Sequence, residues 1–441
     1  MIALRPLVAR VAMSLPFRAV VAVAFLFFHI TMMTRLARDR FEYKFNADPE
    51  HAPAFYNPQT DARPTNWDRL IVSRWDAQHY EAIALRGYST CKYKSQLESG
   101  EYPDDDKTCE LAFYPTYSWL GVAVMKVTHL PVDYALFGIS LVASFLFLVM
   151  WTSRPMVDGL GLGMTYLSLL LINLFDTGFS LVMVQTEPCV MALTLGAFLC
   201  LRKRWLLTGA LLAGAATAVR ISGVCTGFAF CAALLVMTLR EHPRPRWVWA
   251  WRAALMAVAG WGIMGLMAYY WSRFGDPLIY SHAHERAFHH HPDLMKIFIP
   301  DGRLLIQSIW AEPNDGVILA AGLFWFALGH RKGFIGFPVE AQAFLYVLFF
   351  TIVGISMYGS VDFAYGGNSR YLVTVLPLFF AMAAAMRRRP VVLALWLFMS
   401  VMHYYHGSIC FYVGQNHPDR LHRCAFARYF RSEALQDGRE Q

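Results

Sequence analysis

The amino-acid sequence predicts an all-α protein that crosses a membrane many times. Of the 441 residues, 56% are hydrophobic and only 16% are charged, and the mean hydropathy is +0.37. Soluble domains carry roughly 25% charged residues, so this composition is typical of a multi-span membrane protein. Apolar segments close to the length of a membrane span, about 20 residues, recur along the chain. We therefore expect residues 1–441 to form one integral membrane unit.

About eleven apolar segments are interpreted as transmembrane helices, given that a span needs roughly 17–25 residues. They cover 14–36, 133–152, 157–175, 186–201, 205–221, 222–239, 250–271, 316–330, 340–357, 371–386 and 390–410. The first is too long for a signal-peptide core and lacks a small-residue cleavage site. Several others are short. Short spans are typical of helices that end inside a protein-walled cavity, because lipid tolerates no unsatisfied backbone.

Clusters of lysine and arginine between the apolar segments predict the orientation. Arg5 and Arg10 are placed in the cytoplasm, and the later clusters then fall on the same side, as the positive-inside rule requires. These clusters lie at 154, 202–204, 240–252, 331–332 and 387–389. The exoplasmic parts are then a first loop at 37–132, a second loop at 272–315, a short segment at 358–370 and a C-terminal tail at 411–441. Because the positive charge sits between spans, the net charge of +8 predicts a membrane bilayer as partner and no nucleic acid.

The stretch 113–130 is apolar enough to be a span, but as a span it would reverse the side of every later basic cluster. It opens with Phe113-Tyr114-Pro115 and carries Lys126 and His129. We interpret it as an interfacial helix within the first loop, with its apolar face toward the bilayer. An ordinary span is the alternative.

The first loop contains a compact polar stretch, Arg74-Trp75-Asp76-Ala77-Gln78-His79-Tyr80. From Asp76 onward the pattern predicts a short helix that ends at Gly87, a favoured C-cap residue. Asp76 and Tyr80 are four residues apart and share a face of that helix. Aspartate is a strong N-cap residue. A helix N-terminus also keeps a carboxylate ionised, as a general base requires, so the two roles are compatible.

Three further charged residues lie near exoplasmic ends of predicted spans. Glu187 opens a span, where the helix dipole favours an acid; it is also a candidate to orient a substrate or to pair with Arg220. Arginine in a membrane segment is costly and usually functional, and its planar fork suits phosphate. Arg220 and Arg370 are therefore candidate phosphate ligands. The alternatives are an ion pair with a nearby acid for Arg220 and interfacial snorkelling for Arg370.

Histidines in the second loop are candidate metal ligands by type. They are His282, His284 and 289–291. No nearby cysteine completes a zinc set, so we predict no metal site and expect these side chains to pack at the interface or to bind phosphates of a substrate.

Cysteines of the exoplasmic regions form two candidate pairs. Cys91 and Cys109 share the first loop, and Cys410 and Cys424 share the C-terminal tail. Each pair is a candidate disulfide if its compartment is oxidising.

Five short motifs resemble, in chain order, those of GPI mannosyltransferase II, the PIG-V family. The motifs are Arg74-Trp75-Asp76-Ala77 with Ile83-Ala84 and Gly87-Tyr88, Leu111-Ala112-Phe113-Tyr114-Pro115-Thr116-Tyr117, Gln185-Thr186-Glu187, Arg220-Ile221-Ser222-Gly223, and Asn368-Ser369-Arg370-Tyr371 followed by Pro377. The first is the most specific, and the order of the later ones strengthens them. Gln185 departs from the family, which usually has tyrosine there, so aromatic stacking at that position is in doubt.

The resemblance implies a GT-C type glycosyltransferase in the endoplasmic reticulum membrane, with a lumenal active site. It implies transfer of mannose from dolichyl phosphate mannose to a GPI-precursor glycolipid, adding the second mannose in α-1,6 linkage with inversion. No cofactor is implied, and a small membrane subunit is a possible partner. Carried over residue by residue, Asp76 is the general base and Arg370 and Arg220 bind the donor phosphate. The implied substrate-binding residues are Arg74, Trp75, His79, Tyr80, Gln185, Glu187 and Asn368.

Two alternatives stay open at the sequence level. One is a related lipid-phosphosugar-dependent glycosyltransferase with another acceptor, such as a protein, an N-glycan precursor or a bacterial lipid; in a bacterium the site would face the exterior of the plasma membrane. The other is a transporter or flippase, which would share the span count and the intramembrane charges. Transporters usually show paired repeats, and the sequence has no convincing internal duplication.

Overall fold

The structure, a computed structural model, describes residues 4–41, 76–88, 110–241, 245–288, 313–356 and 368–414. Within these ranges every regular element is helical and no β-strand occurs, which confirms the all-α prediction. The helices are α1 (Leu4–Met13), α2 (Leu15–Phe41), α3 (Ala77–Arg86), α4 (Thr116–Thr128), α5 (Val132–Trp151), α6 (Arg154–Leu160), α7 (Leu162–Asn173), α8 (Glu187–Arg202), α9 (Leu206–Val219), α10 (Ile221–Arg240), α11 (Arg246–Val258), α12 (Trp261–Phe274), α13 (Ile279–Phe288), α14 (Pro313–Phe334), α15 (Val339–Ser356), α16 (Asn368–Leu372), α17 (Leu376–Met386) and α18 (Pro390–Gly414).

Each predicted apolar span coincides with one of these helices or with two in succession. Among the described residues, α2, α5 and α10 are long and apolar enough to cross a membrane by themselves, and two bent pairs raise that number to five. Apolar stretches of α9, α15, α17 and α18 are shorter. Together with the composition, these helices make the chain a multi-pass membrane protein. In the part of the chain that the structure describes, helices of full span length are fewer than the eleven segments predicted.

The predicted span 157–175 is broken, because its helix turns sharply at a glycine. Gly161 has φ of +80°, a conformation that glycine adopts without steric cost, and α6 and α7 meet there at 105°. The 12 residues of α7 reach only about 18 Å at 1.5 Å per residue. The chain then continues through a buried 3-10 turn, Gly178–Val182, to the start of α8. Non-helical backbone at such depth is tolerated only where protein surrounds it.

The predicted span 250–271 is likewise two helices, α11 and α12, which meet at 52°. At the junction Gly262 lies against α9, where a methyl group in its place would overlap the carbonyl oxygen of Gly214. Close backbone approach through small residues is typical of helix packing in membranes. The same device joins α14 to α17, where a methyl group at Gly329 would overlap the carbonyl oxygen of Ala381.

The ion pairs at one end of the bundle join several of the predicted basic clusters. Arg204 Nη2 lies 2.7 Å from Glu340 Oε1, and its Nη1 lies 3.3 Å from Glu241 Oε1. Glu241 also pairs with Arg252, and Arg240 lies 4.0 Å from Glu340. The successive helices α8, α9 and α10 are antiparallel to one another. The start of α8 and the α9–α10 corner therefore lie at the end of the bundle opposite these ion pairs. The clusters at 202–204 and 240–252 therefore share one end, as the orientation prediction requires.

Two first-loop helices, α3 and α4, pack on the start of α5 at the end opposite the basic clusters. Gly87 ends α3 with φ of +64°, and its N–H donates to Ile83 O over 2.9 Å. The 13 residues of α4 span about 20 Å, less than the roughly 30 Å of a bilayer core. Its exposed apolar side chains include Trp119, Leu120 and Val127. The interfacial placement of α4 stays a prediction.

Candidate active site

Four charged side chains from distant parts of the sequence form one alternating chain of ion pairs. Arg370 Nη2 lies 2.8 Å from Asp76 Oδ2 and 2.8 Å from Glu187 Oε1. Arg220 Nη1 lies 2.8 Å from the same Glu187 oxygen. The order is Asp76, Arg370, Glu187, Arg220, with two positive and two negative charges. The structure thus brings together the four charged residues that the sequence singled out near the exoplasmic side.

Helix ends position three of these groups, and Arg370 lies within the short helix α16. Asp76 precedes α3, and its backbone carbonyl accepts from the N–H groups of His79 and Tyr80. Its carboxylate makes no capping hydrogen bond to the helix; instead it accepts from Arg370. Glu187 begins α8 and Arg220 sits at the corner between α9 and α10. The N-cap alternative for Asp76 therefore holds for its position along the helix but not for its side chain.

The chain of ion pairs is graded in exposure. The Glu187 side chain is completely buried and that of Arg220 is 12% exposed, whereas Asp76 and Arg370 are 21% and 23% exposed. Glu187 is therefore the inner anchor and the Asp76–Arg370 pair is the accessible end.

The hydrogen-bonding capacity of the four groups is only partly used within the described residues. Among the described residues, Arg370 donates from Nε and Nη2 and its Nη1 has no acceptor. Within the same ranges, Arg220 donates from Nη1, to Thr186 over 3.2 Å and to Glu187. A guanidinium carries five N–H donors, so these contacts do not use every donor of the pair. Glu187 Oε2 and both amide atoms of the buried Gln185 also lack a partner, and buried polar groups without partners mark places where a polar ligand or water binds.

Electrostatics keep Asp76 ionised. Burial by itself raises the pKa of an aspartate, but the charges of Arg370 and Arg220 and the hydrogen bond from Arg370 outweigh it and lower the pKa of Asp76 to about 2. The pKa of Arg370 is raised, because Asp76 and Glu187 outweigh the cost of its burial. Burial lowers the pKa of His79, and the nearby Asp76 and Glu110 oppose that change in part.

Aromatic side chains of the first loop form a wall beside the ion pairs. His79 stacks on Phe113, with ring centroids 4.2 Å apart, and Tyr80 packs edge-on against both Phe113 and Tyr117. The Tyr80 hydroxyl lies 3.4 Å from Thr186 Oγ1, next to Glu187. His79 and Tyr80, both predicted to bind substrate, thus flank the charged groups.

Sequence reasoning missed two contacts at this site. The Arg220 guanidinium lies over the ring of Tyr371, 5.2 Å from its centroid. This cation–π contact uses the face of the guanidinium and not the N–H groups at its edge. Tyr114 packs against Tyr280 of α13, with centroids 4.4 Å apart, and so ties the first loop to α13. The only sequence signal for the first contact was an aromatic residue directly after Arg370.

The predicted second-loop cluster is partly described. His282 Nδ1 lies 2.7 Å from Asp276 Oδ2, so this histidine has a carboxylate partner. The side chains of the other histidines lie outside the described residues. In the part of the chain that the structure describes, no group of three or more histidine, cysteine or acidic side chains is arranged to hold a metal.

Several predicted residues lie outside the described part of the chain. They are Arg74, Trp75, Cys91, Cys109 and Cys424, together with the side chains of Asn368 and Cys410. The predicted roles and disulfides of these residues stay predictions.

Comparison with known proteins identifies one distant structural likeness. No protein-family model matches the chain, and no curated protein matches it. Among solved structures, the chain is similar to ArnT from Cupriavidus metallidurans bound to undecaprenyl phosphate, with 13% sequence identity and a TM-score of 0.40, over 76% of this chain and 72% of that one. A likeness at this level assigns neither a family nor an activity.

Proposed function

We propose that the protein is a membrane glycosyltransferase of the GT-C type that takes its sugar from a lipid phosphate donor. The observation that carries the proposal is the accessible Asp76 carboxylate held against Arg370, whose Nη1 has no acceptor among the described residues. A sugar transferred from a phosphate needs a base for the acceptor hydroxyl and cations for the departing phosphate. This site has both within one set of contacts.

The arginines suit a phosphate leaving group. Arg370 and Arg220 share one oxygen of Glu187, 2.8 Å from each, so both guanidinium groups are held on one side of the site. The N–H donors that have no acceptor among the described residues match the planar, two-point binding that arginine gives to phosphate. Preorganised donors of this kind stabilise the charge that develops on the leaving oxygen.

The finer proposal is that the donor is dolichyl phosphate mannose and the acceptor a GPI-precursor glycolipid, in the lumen of the endoplasmic reticulum. It is supported by the five motifs in chain order, which include all four residues of the ion-pair chain. In this scheme Asp76 takes the proton of the acceptor hydroxyl, whose oxygen attacks the anomeric carbon as the phosphate leaves. One displacement inverts the configuration, and no cofactor takes part. A small membrane subunit is a proposed partner.

The position of the sharpest helix break does not favour the transporter alternative. Transporter sites lie near the bilayer midplane at discontinuous helices. Here the sharp break at Gly161 lies at the basic end of the bundle, where Gly159 packs on Phe337 of the turn that precedes Glu340. The buried charges lie at the other end, beside the first loop.

Transfer of radiolabelled mannose tests the proposal. Membranes that contain the full chain are incubated with dolichyl phosphate mannose and a one-mannose GPI precursor, and the lipid products are separated. We expect a mannosylated product from the wild type and from Asp158→Asn, a matched control at an exposed acid paired with Arg154. Asp76→Asn should lose at least 100-fold of the rate, since a general base contributes about 10²–10⁴-fold.

Two outcomes would contradict the proposal. Full activity in Asp76→Asn excludes this residue as the base, and absence of product from the wild type with several lipid phosphosugars excludes the reaction class. Product from another acceptor, but not from the GPI precursor, would retain the class and replace the acceptor. Complementation of a cell that lacks the second GPI mannosyltransferase tests the acceptor in vivo.

A further inference from the structure

We propose that Arg370 is a shared counter-ion that couples deprotonation of the acceptor hydroxyl at Asp76 to departure of the lipid phosphate. The inference rests on the proposed function and adds a positional link between the two halves of the reaction. In this scheme Asp76 and the donor phosphate compete for the same guanidinium group. Without substrate, Asp76 and Arg370 neutralise each other's charge. Binding of the donor phosphate to Arg370 then breaks their contact.

The geometry gives Arg370 a fixed edge and a free end. Its Nε and Nη2 lie 3.1 and 2.8 Å from Glu187 Oε1, so the buried carboxylate holds one edge of the fork. Nη2 is also 2.8 Å from Asp76 Oδ2, and Nη1 has no acceptor among the described residues. Arg370 can give up Asp76 and offer Nη1 and the second N–H of Nη2 to a phosphate, while Nε and Nη2 keep their contacts with Glu187.

Arg220 provides the contrast. Its Nη1 is bound to Glu187 and Thr186, its guanidinium is covered by Tyr371, and no described contact joins it to Asp76. It is also less exposed than Arg370, 12% against 23%. Of the two arginines, only Arg370 contacts both the proposed base and the anchor, so only Arg370 can move between a base and a phosphate.

The charge balance of the step explains why a shared cation suits it. The acceptor O–H bond breaks and its proton goes to the Asp76 carboxylate, while the oxygen lone pair forms the bond to the anomeric carbon. The bond between that carbon and the phosphate oxygen breaks, and its electron pair stays on the phosphate. Asp76 thus loses one negative charge as the phosphate gains one. Since Arg370 lies next to Asp76, its guanidinium group can shift its contact from Asp76 to the phosphate as the negative charge moves there. The net charge of the site does not change.

The same competition tunes the base. With Arg370 in place, the pKa of Asp76 is about 2, which makes the carboxylate a weak proton acceptor. When Arg370 turns to the phosphate, the carboxylate loses the nearest cation that lowers its pKa and becomes a stronger base. Donor binding therefore activates Asp76 before the acceptor is attacked.

A binding measurement on the full chain distinguishes this scheme from a purely structural ion pair. The probe is dolichyl phosphate, and its affinity is measured by tryptophan fluorescence in detergent micelles for the wild type, Asp76→Asn and the control Asp158→Asn. We expect Asp76→Asn to bind the probe on the order of tenfold more tightly, the size of a typical coupling free energy. The control should bind as the wild type does. Removal of the Asp76 charge by itself also favours an anion, so a site without this competition predicts either unchanged binding or a gain that does not depend on Arg370.

A second variant protects the test against misfolding. Asp76→Asn is combined with Arg370→Lys, because a lysine ammonium has no fork to share between two acceptors. We expect the double variant to lose the gain in affinity, and a thermal unfolding scan of each protein shows whether it is folded. A folded Asp76→Asn protein with equal or weaker binding overturns the proposal, and so does a gain that persists in the double variant.

The outcomes also separate this inference from the proposed function. If the wild type transfers mannose and binds dolichyl phosphate, but Asp76→Asn gains no affinity, the shared counter-ion fails and the enzyme assignment stands. If the wild type neither binds dolichyl phosphate nor makes product, both fail. If Asp76→Asn gains affinity but loses transfer, both are supported.

Discussion

Replacement of Glu187 by glutamine would test whether this residue is the anchor of the site. The change keeps the volume of the side chain and removes its charge. Glu187 is completely buried, and its Oε1 accepts from Arg220 and Arg370 over 2.8 Å in each case. After the change, two largely buried guanidinium groups would face each other across a neutral amide. Arg370 would keep Asp76 as a partner, whereas Arg220 would lose the only carboxylate it contacts among the described residues.

The expected cost follows from burial. Removing one partner of a buried ion pair destabilises a protein by about 3–5 kcal/mol, because an uncompensated charge remains. We therefore expect Glu187→Gln to lower the free energy of unfolding by roughly 3–5 kcal/mol. Asp76→Asn is the matched comparison, since it neutralises a carboxylate on the same arginine. Both groups of that pair are more than 20% exposed, and Arg370 keeps Glu187 as a partner, so its loss should cost less, roughly 2 kcal/mol as the lowered pKa of Asp76 implies.

The free energy of unfolding is measured by denaturant titration in mixed micelles, with intrinsic tryptophan fluorescence as the signal. The double variant Glu187→Gln with Arg220→Gln removes the stranded cation and should recover part of the loss, as a double-mutant cycle reports for residues in direct contact. The reasoning is refuted if Glu187→Gln is no more destabilising than Asp76→Asn. Equal effects would mean that the difference in burial between Glu187 and Asp76 does not change the free energy of unfolding.

Three further predictions concern the helix corner, the membrane core and pH. Gly223→Ala should destabilise the protein by about 1–3 kcal/mol and lower transfer activity, because a methyl group there overlaps a backbone carbonyl of α9. The control is Gly138→Ala, whose methyl group meets nothing within 4 Å; it should leave the midpoint of thermal unfolding unchanged. Tyr404→Phe should cost about 1–3 kcal/mol by leaving His29 Nδ1 without its donor at 2.7 Å, which a lower unfolding midpoint would show. Because the pKa of Asp76 is lowered from 3.8 to about 2, its stabilising contribution is present above pH 4 and is lost as pH falls toward 2; unfolding midpoints of Asp76→Asn should therefore depend less on pH over that window than those of the wild type.

Composition and local pattern predicted the class of fold and the charged residues of the site. The apolar segments became helices because their backbone polar groups have no other partners in lipid. Asp76 was selected from a compact polar stretch at a predicted helix start, and Glu187 from its place at the opening of a span. Arg220 and Arg370 were selected because an arginine in a membrane segment is costly to keep. These residues lie close together because successive helices are antiparallel. The start of one helix and the end of the next therefore lie at the same end of the bundle.

Sequence pattern did not predict where helices break. The bend at Gly161 depends on a positive φ, and an isolated glycine in an apolar run carries no sign of which conformation it adopts. The partners of Arg370 were equally hidden, because a contact between residues 294 positions apart leaves no local trace. The role of Asp76 shows the limit most clearly. Its position at a helix start was readable, but the choice of Arg370 over the helix N–H groups depends on a residue far along the chain.

The two carboxylates of the site raise the question of whether the reaction uses one displacement or two. Asp76 Oδ2 and Glu187 Oε1 each lie 2.8 Å from Arg370 Nη2, so they are at most twice that distance apart. Retaining glycosidases place their two carboxyl groups roughly 5–5.5 Å apart, so spacing alone would allow a covalent intermediate on one of them. Exposure argues against Glu187 as that nucleophile, because its side chain is completely buried while that of Asp76 is 21% exposed. An acid that is inaccessible and already shared by two arginines makes a poor nucleophile toward a sugar. The arrangement therefore favours a single displacement with Asp76 as the base, and a product of retained configuration would contradict it.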